Sequence, residues 1–164
     1  MPPKSDSQIL SNMNIRSIES SDFAFIRSLA AQFPTFTVPS DYILWFLTTF
    51  HPEYCRVLEQ SSGEIRGYIL AMPTSNPPNG IAVWQVATAE TSAHAFTLEH
   101  FVFYLRDLAE RTRATTVFFT TPPNLPSVRL IRSLAAQFAD CEVAQCDPVP
   151  VGQGEHQFRI TIRW

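Results

Sequence analysis

Apolar positions recur along this chain with two different periods, and the places where the period changes divide it into elements. Asn14-Ile15-Arg16-Ser17-Ile18 alternates and is short, as an edge strand would be. Ser20-Ser21-Asp22 then supplies N-cap oxygens for a helix running to about Phe33. Its Phe23, Ile26, Leu29, Ala30 and Phe33 recur at three and four residues and form one stripe, which Pro34 ends. Pro39-Ser40-Asp41 opens a second helix that carries Tyr42, Trp45, Phe46 and Thr49 before Pro52.

Two strand-like runs follow, Tyr54 to Glu59 and Ile65 to Met72, joined through Ser61-Ser62-Gly63 as a hairpin. The proline-rich stretch from Pro73 to Gly80 reads as a loop. Ile81 to Ala87 is almost continuously apolar, which predicts a central strand covered on both faces. A helix is expected from about Thr97 to Thr112, with Leu98, Phe101, Leu105 and Leu108 on its buried stripe. Thr115 to Thr121 is a β-branched and aromatic strand, and Ser127 to Phe138 a last helix. Cys141 to Cys146 and Gln157 to Trp164 close the chain as two strands. The second alternates Phe158, Ile160, Ile162 and Trp164 with Arg159, Thr161 and Arg163.

The order βααβββαβαββ predicts an α+β domain over 14–164, with a mixed sheet of about seven strands and helices on both faces. Residues 1–13 read as a flexible tail without the charged-then-apolar pattern of a signal peptide. The octamer Ile-Arg-Ser-Leu-Ala-Ala-Gln-Phe occurs twice, at Ile26 to Phe33 and at Ile131 to Phe138. The flanks do not match and no repeat period appears, so it predicts no solenoid.

Composition narrows the function classes. The net charge is −3 and the single lysine is Lys4, so the chain lacks the basic stripe that nucleic acid requires. No apolar run approaches the roughly 20 residues that span a bilayer, so no membrane partner is expected. Three cysteines without a Cys-x-x-Cys pattern imply buried thiols and a cytoplasmic setting. His94 and His100 stand six apart, the wrong spacing for ligands on one helical face, and no metal site is expected. His51, at the end of the second helix, is suited to capping it.

Several segments resemble the GNAT acyltransferase superfamily, and in particular its diaminobutyrate acetyltransferase branch. Gly63-Glu64-Ile65-Arg66-Gly67-Tyr68-Ile69 is similar to the family's hairpin, and Val83-Trp84-Gln85-Val86-Ala87 to the branch's Val-Trp-Gln-Val-Ala. Thr120 to Asn124 followed by Ser127, and Pro39-Ser40-Asp41-Tyr42, resemble two further branch motifs. The resemblance covers roughly Ile15 to Phe138 and implies a mixed, mostly antiparallel sheet. It also implies an acyl-CoA site where the central strand meets the next helix. Ligand-binding roles fall by resemblance on Trp84, which lines the substrate pocket in that branch, and on Tyr42, Gln85 and Asn124.

The chain departs from the family where coenzyme A is held. The family sets an arginine or glutamine and two glycines in that turn, so that backbone N–H groups reach the pyrophosphate. Here Thr88 to Thr97 contains no glycine. The arginine position falls on Ala93, the glycine positions on His94 and Phe96, and Glu90 adds a negative charge. The leaving-group tyrosine of many members is Ile131 here. The branch's acidic residue before the second helix is replaced by Phe36-Thr37-Val38, although Asp41 stands ready to compensate.

Three readings follow. In the first, the scaffold is repurposed to bind a small molecule in the former acceptor pocket without a cofactor, as a biosynthetic enzyme or a binding protein, with His94, Glu90 and Tyr42 as candidate acid–base groups. In the second, the chain is a divergent acetyl-CoA-dependent N-acetyltransferase of a small amine. In the third, it is an inactive subunit that forms a homodimer through its helices or final hairpin.

Overall fold

A computed structural model describes residues 13–89, 94–121, 125–150 and 154–164. Strand β1 (Met13–Ser17) leads into a 3-10 turn over Ser20–Asp22 and helix α1 (Phe23–Ala30). The expected N-cap oxygens do not cap α1 itself: Asp22 precedes it without a side-chain bond to its N–H groups, and reaches back instead to close the 3-10 turn. Its carboxylate accepts the Glu19 N–H at 2.8 Å and is gripped by Arg16 at 2.7 Å. Helix α2 (Asp41–Phe50) begins at Ser40, whose hydroxyl accepts the Ile43 N–H at 3.2 Å. It ends at His51, whose own N–H reaches the Leu47 carbonyl.

Strands β2 (Arg56–Gln60), β3 (Ile65–Ser75) and β4 (Pro78–Thr88) form an antiparallel meander. The stretch from Pro73 to Gly80, expected as a loop, is instead the tip of a long β3–β4 hairpin, with Pro73 opposite Ile81 and Ser75 opposite Pro78. Prolines are admitted there because β2 pairs with β3 only as far as Ile69, so the Pro73 nitrogen owes no donor to that side. Pro78 is the first residue of its strand, where the missing donor also costs little.

Helix α3 (His94–Thr112), strand β5 (Thr116–Thr121), helix α4 (Leu125–Ala135) and strands β6 (Cys141–Pro148) and β7 (His156–Ile162) complete the chain. The seven strands lie in the order β1-β2-β3-β4-β5-β7-β6, with β4 central as its apolar run predicts. All ladders are antiparallel except β4–β5, which is parallel.

The two helix pairs cover opposite faces. The Gln85 amide of β4 donates to the Thr37 carbonyl between α1 and α2 at 2.7 Å, so these helices lie on the face shared by Gln85 and its neighbour Tyr68. Gly67 faces the other way. A Cβ there would sit 3.1 Å from the Phe101 ring of α3 and 2.6 Å from the Ala87 carbonyl oxygen, so the residue must be glycine for helix and strand to approach. Helix α3 packs in turn on α4.

The repeated octamer has a structural explanation. Both copies end a helix in the same way, with Ile26 and Ile131, Leu29 and Leu134, and Ala30 and Ala135 buried. Ala31, Gln32 and Phe33 donate to Arg27, Leu29 and Ala30, and Ala136, Gln137 and Phe138 donate to Arg132, Leu134 and Ala135, all at 3.0–3.1 Å. One eight-residue solution to a helix C-terminus serves twice, once on each face of the sheet.

Candidate functional site

The site grows from an irregularity in β4. Its ladder with β3 runs Val86–Ile69 and Gln85–Leu70 and then jumps to Val83–Ala71, so Trp84 is a bulged residue without an opposite number. On the other edge, the parallel ladder with β5 stops at Val83–Phe119, although β4 continues to Thr88 and β5 to Thr121. Beyond that last pair the strands diverge around a cavity of about 80 Å³ lined by Trp84, Gln85 and Val86 of one strand and Phe119, Thr120 and Thr121 of the other. Phe36 reaches it from the α1–α2 side of the sheet and Leu130 and Ile131 from α4.

Trp84 joins this cleft to two larger cavities. One, of about 350 Å³, is bounded by Ile43, Phe46, Leu47 and His51 of the α2 region and by Met72 and Trp84. The other, of about 310 Å³, shares Met72 and Trp84 and adds polar groups from Thr74, Asn76, Thr120 and Gln157. The His51 ring, held at the end of α2, stands against Phe46 and Tyr54 with ring centroids 6.4 and 6.3 Å away. His51 is the single titratable side chain among the described residues that line the first cavity.

Gln85 is committed to the fold. Its carbonyl oxygen accepts the Tyr68 hydroxyl at 2.9 Å while its amide donates to Thr37. Burial raises the Tyr68 hydroxyl above the ordinary tyrosine range, which keeps it a neutral donor. Tyr42 does not line these cavities. It is 67% exposed and leans on Trp45 at 5.8 Å, on the outer aromatic surface of α2. Helical geometry sets this, because Leu44 and Leu47 are the buried residues of α2 and Ile43 and Phe46 flank them at the cavity's edge. Asp41 forms an exposed ion pair with Arg27 at 3.4 Å and lines neither large cavity.

Helix α3 starts at His94, one turn earlier than its apolar stripe predicts. Glu90 and Asn124 lie outside the described residues. Cys55 is a buried thiol that donates to the Ala71 carbonyl at 3.3 Å, and burial pushes its pKa up to about 11. The sequence reading overlooked Met72, Phe46 and the cleft role of Phe119 to Thr121. A methionine ending a strand run carries no local signal of a pocket, and the end of a ladder depends on a partner strand.

No protein-family model matches this chain, and no curated protein sequence matches it significantly. Solved structures do. The chain superposes on diaminobutyrate acetyltransferase EctA of Paenibacillus lautus, solved with L-2,4-diaminobutyric acid and coenzyme A, with TM-score 0.75 and 21% identity over 91% of this chain and 94% of that one. A mutant of spermidine N-acetyltransferase SpeG from Vibrio cholerae superposes with TM-score 0.64 and 16% identity over 93% and 94% of the two chains. A GNAT-family acetyltransferase of Bacillus anthracis does so with TM-score 0.63 and 11% identity over 92% and 95%. The fold is therefore that of the GNAT acetyltransferases, with the diaminobutyrate enzyme among its structural neighbours.

Proposed function

We propose that this chain transfers an acyl group from a coenzyme A thioester to a small acceptor, with the transfer taking place beside Trp84. The observation that carries the reading is the early end of the β4–β5 ladder at Val83–Phe119, which opens a cleft between two strands that both continue. An extended donor arm bearing amides fits such a gap, because it can add to the edge of β4 as a further strand would. In this reading the donor's phosphates would be met by the N-terminus of α3, since a helix start favours an anion.

When bound, acyl-CoA supplies the activated acyl group. The chain's own residues then divide the remaining work. The β4 edge beyond Val83 and the walls Phe119, Leu130 and Ile131 orient the arm and keep water from it. Met72 and Trp84 hold the acceptor against the same point from the neighbouring cavity. The His51 imidazole on that cavity's wall takes the proton that an attacking nitrogen releases. Ile131 lines the cleft where many members place a tyrosine, so it offers no proton to the leaving sulfur.

A second reading rests on one specific feature, the absence of glycine from Thr88 to Thr97. It makes the chain a small-molecule binder or enzyme that uses the acceptor cavity without coenzyme A. Calorimetric titration with acetyl-CoA decides between them. Micromolar binding with slow thiol release in the presence of an acceptor is the expected result. No heat at millimolar acetyl-CoA would end the acyl-transfer reading and leave the second one standing.

A further inference from the structure

From the walls of the α2 cavity we infer that the acceptor is an apolar molecule with one weakly basic, uncharged nitrogen, of the arylamine class, and not a diamine or polyamine. The inference rests on the acyl-transfer reading and names the substrate of that same site. The wall consists of Ile43, Phe46, Leu47, Met72 and Trp84, with the imidazole of His51 as its one titratable group. An ammonium group moved onto such a surface loses water without gaining a counter-ion, which is unfavourable unless a carboxylate meets it.

Among the described residues, neither the α2 cavity nor the one beside it is lined by aspartate or glutamate. The acidic residue of α2, Asp41, lines neither large cavity and is paired with Arg27 on the surface. A second cationic group along the same molecule would find Thr74, Asn76, Thr120 and Gln157, which are neutral.

Shape and chemistry agree with an aromatic body. The cavity's volume of about 350 Å³ suits a small ring system, at the lower end of the range of about 300–1,000 Å³ common for ligand pockets. Trp84 lines both large cavities and the cleft, so a flat apolar molecule held against it brings a ring substituent toward the donor's position. Met72 on the facing strand is a flexible wall that adapts to rings of different outline. The rim of the cavity is apolar as well, since Ile43 and Phe46 are each about two-fifths exposed.

The test is calorimetric titration of the whole chain with 4-ethylaniline, spermidine and L-2,4-diaminobutyrate, each without donor, followed by thiol release with acetyl-CoA. We expect 4-ethylaniline to bind at least about tenfold more tightly than either cationic amine, the scale on which a pocket discriminates by apolar fit. Ile43→Glu places a carboxylate on the rim in the first turn of a helix, where it is tolerated, and should weaken 4-ethylaniline and strengthen spermidine. Phe46→Ala, with an unchanged far-ultraviolet circular dichroism spectrum, should weaken 4-ethylaniline alone. Equal or tighter binding of spermidine or diaminobutyrate overturns the inference, as does the absence of arylamine binding at millimolar concentration. Arylamine binding without thiol release supports the acceptor class and rejects acyl transfer. Thiol release fastest with diaminobutyrate does the reverse.

Discussion

The Tyr68 hydroxyl donates to the Gln85 side chain at 2.9 Å, and through that one amide the β3–β4 ladder is tied to the Thr37 carbonyl between α1 and α2. Three elements distant in sequence meet at a buried polar point, next to the bulge that shapes the cleft. Removing Gln85 leaves a buried hydroxyl and a carbonyl unpartnered, at about 1–3 kcal/mol for each buried group. Gln85→Leu should therefore lower the urea midpoint substantially. Adding Tyr68→Phe should recover part of the loss, because one orphaned group is then removed. Equal midpoints for the single and double variants would show that the two side chains are not coupled.

Gly67 sets the distance between α3 and the sheet. The Cβ of Gly67→Ala would lie 2.6 Å from the Ala87 carbonyl oxygen, a backbone atom that cannot swing aside. We expect a loss of about 1–3 kcal/mol or more from overpacking. Thermal unfolding would check it, and a melting temperature within a degree of the parent would contradict the packing described.

The two copies of the octamer should answer alike to truncation. Leu29→Ala and Leu134→Ala each open a cavity at a helix end of the same construction, at about 2–5 kcal/mol. Because the two sites lie on opposite faces of the sheet, the costs should add in the double variant. Denaturant titration of the three proteins is the measurement, and a strongly non-additive double variant would show that the helix ends communicate.

Asp22 confers acid sensitivity. Burial raises its pKa, but the Arg16 guanidinium and the Glu19 amide outweigh that and hold the carboxyl below its ordinary value. A depressed folded-state pKa contributes stability that is complete above the unfolded value of about 3.9 and is lost as pH falls through the folded value. Asp22→Asn should flatten the dependence of stability on pH below about 4 and cost about 2 kcal/mol at neutral pH, the scale of a charge-assisted hydrogen bond. Unfolding free energies measured from pH 2 to 7 would test both parts. An unchanged acid limb would assign the sensitivity to other carboxylates.

Local pattern was enough for much of the fold. Ser40 opens α2 because capping acts within one turn, and the almost continuous apolar run Ile81 to Ala87 marked the central strand because both of its faces are covered. The same locality explains the misreadings. Prolines near Pro73 suggest a loop unless one knows that β2 has already ended and left that edge free. Apolar residues on every side of α2 do not tell which of them faces the sheet. Only the packing shows that Ile43, Phe46 and Leu47 line the cavity and that Tyr42 stands on the outer surface.

The sequence by itself determined the order and kind of the elements, the family resemblance carried by Val83 to Ala87, and the absence of glycine from the turn after β4, because each of these is written in the identity and spacing of neighbouring residues. Only the tertiary structure decided that Gln85 is bound inside the fold, that Trp84 is bulged, and that β4 and β5 separate after Val83 and Phe119. Those are relations between strands whose register is set by partners far along the chain, and no window of sequence contains both sides of such a pair.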